Sequence, residues 1–272
     1  MAKNLDSEGL RSIIDNYDLF FIDLWGVIHN GIKLHEKAIK TLIEIEKAKK
    51  NYVLLTNAPR PNHTVKIFLN KMGMNKNIQE KVYTSGDAAL NYLKKNYLEE
   101  NFFHIGPPRD FDLFEGFKKK KTENIKDSSY FLCTGLFNDQ NQDLNYYKDL
   151  LNNFTSKKMI CTNPDLIVDR GDKREFCAGS VAMIFEKMGG SVIYFGKPFP
   201  EIYNQSINHN NKKVLCIGDN LNTDIKGANL MNFHSLIISN GIHKEEIKKE
   251  GLEKVSKKYE AIINFIQSEL KW

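Results

Sequence analysis

The 272 residues carry 41% hydrophobic and 27% charged side chains, a balance that supports a sizeable core and excludes a disordered or membrane-embedded class. The net charge of +5 is spread over solvated lysines such as Lys118 to Lys121, Lys248/Lys249 and Lys257/Lys258, too thinly for a nucleic-acid footprint. Cys133, Cys161, Cys177 and Cys216 stand far apart, outside zinc or redox spacing, and read as small buried hydrophobes.

Along the chain, Lys3, Asp6, Glu8 and Arg11 precede any apolar run. That is no signal-peptide layout, and no apolar stretch approaches a membrane span, so a cytoplasmic protein with no membrane partner is expected. Residues 1 to 17 read as a short polar helix or a loose arm. Phe20, Phe21 and Ile22 then form a strand-length apolar run that ends on Asp23 and breaks at Gly26. An acid in that place sits at the carboxyl end of a strand, where open α/β sheets bind ligands; a turn-capping acid is the plainer alternative.

Asn30-Gly31 signals a tight turn. From Glu36 to Lys50, apolar residues at Ala38, Ile39, Leu42, Ile43 and Ile45 give an amphipathic helix. Tyr52 to Leu55 predicts a second buried strand ending on Thr56 and Asn57, after which Pro59 and Pro61 delay the next helix. Strand, helix and strand make one right-handed parallel crossover. Val65 to Met72 repeats the helical period, and Val82 to Gly86 predicts a third strand.

The alternation then loosens. From Asp87 to Glu186 the β-type runs at 102–105, 130–133 and 159–161 are interrupted by Gly106-Pro107-Pro108, by the lysine run and by the polar stretch Asn138 to Asn145. This middle predicts an inserted α/β module at 87–186 within a core formed by 1–86 and 187–272. Beyond it, Val181 to Met188 is a helix stopped by Gly189-Gly190, and Val192 to Phe195 is a strand before Gly196-Lys197-Pro198. A helix from Pro200 leads to the strand Val214 to Ile217, which runs into Gly218-Asp219-Asn220, with Asp224 on the following loop. Ser235 to Ser239 adds a strand, and Glu245 to Leu270 reads as largely helical.

Asp23, Asp219 and Asp224 thus converge on one crevice, with Thr56, Asn57 and Lys197 at other strand ends. Singly, each reads equally well as a strand-end cap or a surface lysine. Together, three carboxylates repel unless a cation neutralises them, and hard oxygen ligands suit Mg²⁺. Lys197 adds a point charge suited to phosphate.

The combination resembles the haloacid dehalogenase superfamily of hydrolases, class II subclass A, nitrophenylphosphatase-like, whose members carry a large inserted cap. The resemblance rests on Asp23-Leu24-Trp25-Gly26-Val27, Leu55-Thr56-Asn57, Gly196-Lys197-Pro198 and Gly218-Asp219-Asn220 through Thr223-Asp224, followed by Gly227-Ala228. It implies a Rossmann-like parallel-sheet core with an inserted α/β cap at 87–186 that selects substrate and excludes water. It also implies Asp23 as the nucleophile in a Mg²⁺-dependent phosphatase acting on a small phosphorylated metabolite.

By the same resemblance, Asp23, the Trp25 carbonyl, Asp219 and Asp224 hold the metal. Thr56 and the Asn57 backbone hold phosphoryl oxygens, and Lys197 balances charge. The second acid usual two residues after the nucleophile is replaced by Trp25, and an indole can neither donate nor accept the required proton. His29, in the adjoining turn, is a candidate replacement; an exposed turn histidine without a role is the alternative. A metal-independent dehalogenase and a phospholigand-binding regulatory protein with little turnover remain competing readings. The substrate and the oligomeric state, for which a homodimer is one allowed form, are not written in the sequence.

Overall fold

The computed structural model describes residues 2–170 and 173–272, the side chain of Arg170 excepted. It divides into two compact units, one of Met1–Thr56, Lys66–Tyr83 and Lys197–Trp272, the other of Asn57–Val65 and Thr84–Gly196.

The first unit is built on a seven-stranded sheet. Its order is Lys3–Asn4, Phe265–Gln267, His234–Ile238, Val214–Gly218, Leu19–Asp23, Asn51–Thr56 and Val82–Thr84. The central pairings are parallel, with Phe21 opposite Cys216 on one side and Val53 on the other. Leu19–Asp23 and Val214–Gly218 are buried at every position. A parallel sheet covered on both faces selects such unbroken apolar strands. Glu36–Lys47 supplies the first crossover helix and buries Ala38, Leu42 and Ile45.

Three expectations change here. Residues 1–17 are neither a polar helix nor a loose arm: a short strand at Lys3–Asn4 precedes a 3-10 segment at Leu10–Asn16, and Leu5, Leu10, Ile13 and Ile14 are buried. The 245–270 stretch is not one helical run. Gly251 at φ +81 separates two short helices, Lys244–Glu250 and Leu252–Lys258, and Phe265–Gln267 is a strand between two others of the sheet. Three residues are too few to show a period against so much charge. The third strand stops at Thr84, whose hydroxyl accepts the Asp87 N–H at 3.0 Å and so caps the helix Ser85–Asn96.

The second unit has its own four-stranded parallel sheet, ordered Ser191–Tyr194, Lys158–Cys161, Tyr130–Cys133 and Phe102–Ile105. Its core gathers Phe131, Tyr147, Met159 and Phe185. Residues 87–186 therefore do not continue the first sheet. The strand expected to return to the core at 192–195 instead pairs here, Val192 opposite Met159, and the helix Ala178–Lys187 packs Phe185 against Phe131 with ring centroids 5.7 Å apart. A four-residue apolar run carries no mark of which sheet it joins.

The helix Leu144–Leu151, capped by the Asp143 carboxylate, and the antiparallel hairpin of Ile167–Arg170 with Lys173–Phe176 were not legible in the polar middle of the chain. All four cysteines are buried and free. Among the described residues no helix is long and apolar enough to cross a membrane.

Candidate active site

Asp23 is the last residue of its strand, and Asp219 follows directly on the neighbouring strand, Val214–Gly218. The parallel register, Ile22 opposite Ile217, brings these two ends side by side. The turn Leu221–Ile225 then brings Asp224 back, where its Oδ2 accepts the Asn220 N–H at 3.1 Å. Two glycines make the closeness of these acids feasible. A Cβ on Gly218 would lie 2.0 Å from Asp224 Cγ, and one on Gly26, whose φ of +83 already disfavours side chains, would lie 2.1 Å from Asp219 Oδ2. One carboxylate oxygen from each of Asp23, Asp219 and Asp224 falls within 4.8 Å of the others.

Lys197, the first residue of the returning core segment, is buried and donates through Nζ to Asp224 Oδ1 at 2.6 Å and to Asp23 Oδ1. Asp219 is fixed from another side, accepting the Ile242 N–H on Oδ2 at 2.9 Å. That amide was missed by the sequence reading, since a backbone donor leaves no residue-type signal.

Burial pushes the Asp23 carboxyl well above the usual carboxylate range; the Lys197 ammonium opposes this, while Asp224 and Asp219 add to it. Burial alone would depress Lys197, but the attraction of Asp224 and Asp23 outweighs it and raises the lysine above its ordinary value. One ammonium is therefore set among three buried carboxylates, leaving an excess of negative charge. A divalent cation with a preference for hard oxygen fits this donor set and this deficit.

The remaining candidates are placed as follows. Thr56 ends the strand Asn51–Thr56, whose Leu55 is paired with Asp23, and is buried. Asn57 falls in the second unit and donates its Nδ2 to Asp165 Oδ1 at 3.0 Å, a partner the sequence reading did not name. Trp25 lies two residues past Asp23 in an isolated bridge to His29, its ring edge-on to the imidazole with centroids 5.0 Å apart. His29 is not an exposed turn residue. It is buried at 3% exposure, Phe68 also meets its ring, and its Nδ1 accepts the Gly31 N–H at 3.0 Å. That bond leaves Nε2 as the protonated nitrogen of the neutral ring. Burial, helped by His35, lowers its pKa to about 4.

Residues 20–118 match the family model described as haloacid dehalogenase-like hydrolase, and residues 194–262 match one described as HAD-hydrolase-like. A solved hydrolase of the haloacid dehalogenase-like family from Brucella suis 1330 is 31% identical, with 87% of this chain and 90% of that chain covered at a TM-score of 0.79. A 4-nitrophenylphosphatase of Schizosaccharomyces pombe is 26% identical over 90% of this chain and 92% of its own length. The fold is shared with a possible sugar phosphatase from Cytophaga hutchinsonii, 20% identical, at a TM-score of 0.79 over 97% of this chain and 98% of that one.

Proposed function

The chain belongs to the haloacid dehalogenase-like hydrolases, and from that membership we propose a Mg²⁺-dependent phosphatase that cleaves small phosphorylated metabolites through an aspartyl-phosphate on Asp23. It is a hydrolase of the nitrophenylphosphatase-like kind, in keeping with the similarity to the 4-nitrophenylphosphatase. The observation that carries the reading is the Lys197 ammonium held between Asp23 and Asp224, with Asp219 completing a group of acids too negative to stand alone.

Asp23 attacks phosphorus, the ester oxygen departs with its electron pair, and water then attacks the acyl phosphate, returning the carboxylate and releasing inorganic phosphate. Asp23, Asp219, Asp224 and the Trp25 carbonyl would hold Mg²⁺, whose charge screens nucleophile from substrate and stabilises the transition state. Lys197 neutralises charge shared by the nucleophile and the phosphoryl group. Thr56 and the Asn57 backbone hold phosphoryl oxygens. The second unit acts as the cap that selects substrate and excludes water.

With Trp25 where a second acid would stand, His29 is the candidate for proton transfer. A ring held neutral offers an Nε2–H but little imidazolium, so esters with leaving groups that depart unprotonated should react best. A panel of sugar phosphates, nucleotides and an aryl phosphate, assayed with Mg²⁺ and with chelator, tests the proposal. Metal-dependent phosphate release supports it. Halide release from haloacids, or phosphate binding without turnover, overturns it.

A further inference from the structure

Asn57 is assigned above to the phosphoryl group through its backbone, and its side chain is buried. Both ends of the carboxamide are placed. Nδ2 donates to Asp165 Oδ1 at 3.0 Å, and Oδ1 faces Gly196, where an added Cβ would stand 2.6 Å from it. Gly196 has φ +122, a conformation that favours glycine, and it directly precedes Lys197. The next carbonyl is held as well: Ala58 O accepts the Ser85 hydroxyl at 2.9 Å and the Gly86 N–H at 3.1 Å.

Asp165 does not need its carboxylate to keep its own place. Its N–H donates to the Asn163 side chain at 3.0 Å, and its carbonyl oxygen would lie 2.6 Å from a Cβ added to Gly179. The following carbonyl, of Leu166, accepts the Cys177 N–H at 2.9 Å and the Ser180 hydroxyl at 2.6 Å. All of these contacts survive loss of the Asp165 side chain. The carboxylate reaches instead to Asn57, 108 residues earlier in the chain. An untethered asparagine side chain bonds readily to nearby backbone N–H groups, and so competes for the donors that a phosphoryl group would take. An asparagine whose amide is bound elsewhere is withdrawn from that competition.

We propose that Asp165 is a positioning residue for phosphate binding: by holding the Asn57 carboxamide it keeps the Thr56-Asn57 backbone turned to the phosphoryl oxygens. This deepens the phosphatase reading and rests on it. Asp165 acts through Asn57 and takes part in no bond that forms or breaks. Because it acts on the group that all substrates share, its loss weakens every phosphate ester, and inorganic phosphate, by the same factor. A residue acting through the hairpin of Ile167–Arg170 with Lys173–Phe176, which begins two residues later, would instead change the preference among leaving groups.

The test compares Asp165→Ala and Asp165→Asn with the parent in the presence of Mg²⁺. Three quantities are read: inorganic phosphate affinity by calorimetry, kcat and KM for one aryl and one alkyl phosphate, and the thermal midpoint. Asp165→Asn keeps an oxygen that accepts from Asn57 and is expected to stay within about threefold of the parent. Asp165→Ala is expected to lose about tenfold in phosphate affinity and in kcat/KM, equally for both esters, the scale on which outer partners of a ligating group act. Its midpoint should fall by no more than about 4 °C. Unchanged phosphate affinity in Asp165→Ala overturns the inference, as does a loss confined to one ester or shared equally by Asp165→Asn. A loss that tracks a larger fall in midpoint marks Asp165 as purely structural and overturns it too. If the parent binds phosphate but hydrolyses no ester, the phosphatase reading fails while the affinities still decide the role of Asp165; a parent that does neither overturns both.

Discussion

Both units are parallel α/β sheets, and both present the carboxyl ends of their strands to a potential ligand crevice, yet they finish those ends differently. The seven-stranded sheet ends on Asp23, Thr56 and, one step past, Asp219. The four-stranded sheet runs out into Gly106, Thr134, Thr162 and Phe195, neutral residues throughout. The charge nearest those ends is a single buried acid, Asp110, which bonds to Thr134 and is offset by Arg60, 3.8 Å from it and 3.5 Å from Asp112 with its side chain 31% exposed. Topology offers two crevices and chemistry selects one.

If that contrast is right, the largest effect comes from the nucleophile. Asp23→Asn should abolish phosphate release, by about 10⁴-fold or more, while leaving the fold intact. Next is Lys197→Met, which strands Asp23 and Asp224 as buried carboxylates. It should cost about 3–5 kcal/mol in urea unfolding, partly recovered by adding Mg²⁺. No recovery would mean that the acid group does not bind the ion.

In the second unit, Asp110 is raised to about 6 from 3.8, by burial first and by Asp112 in smaller part, against the opposing pulls of Arg109, Thr134 and Arg60. A carboxyl with a raised folded pKa contributes stability that is complete below its unfolded pKa and is lost as pH rises through the folded one. The parent should therefore lose up to about 3 kcal/mol relative to Asp110→Asn between pH 4 and pH 6, read as the difference of their urea midpoints. Equal slopes for the two proteins would remove Asp110 from the cluster's energetics. The smallest effect is expected at Arg60→Gln, about 1 kcal/mol or less, since its pairs are long and part-exposed.

The legible parts of the molecule were those where a local pattern met an irreversible feature. The runs ending at Asp23, Thr56 and Asp219 were readable because an apolar strand stops at a polar residue. Asp23, Asp219 and Lys197 were readable because each closes or follows such a run, and Asp224 because it lies on the loop directly after one. What escaped depended on long-range placement. Ser191–Tyr194 joins the second sheet through register with Lys158–Cys161, and nothing within its four residues says so. Phe265–Gln267 is a strand because neighbours on both sides pair with it, against a charged context that favoured helix. His29 was readable as a polar turn residue, but its burial depends on Phe68, which meets its ring from a segment far along the chain.

The central claim is that Asp23 carries the phosphoryl group. Rapid acid quench of the protein during turnover of an aryl phosphate with Mg²⁺, followed by peptide mass spectrometry, tests it most directly. The expected result is a phosphoryl adduct on the peptide containing Asp23, lost on treatment with hydroxylamine and absent from Asp23→Asn. Steady release of phosphate with no adduct at Asp23, or with turnover retained in Asp23→Asn, would contradict it.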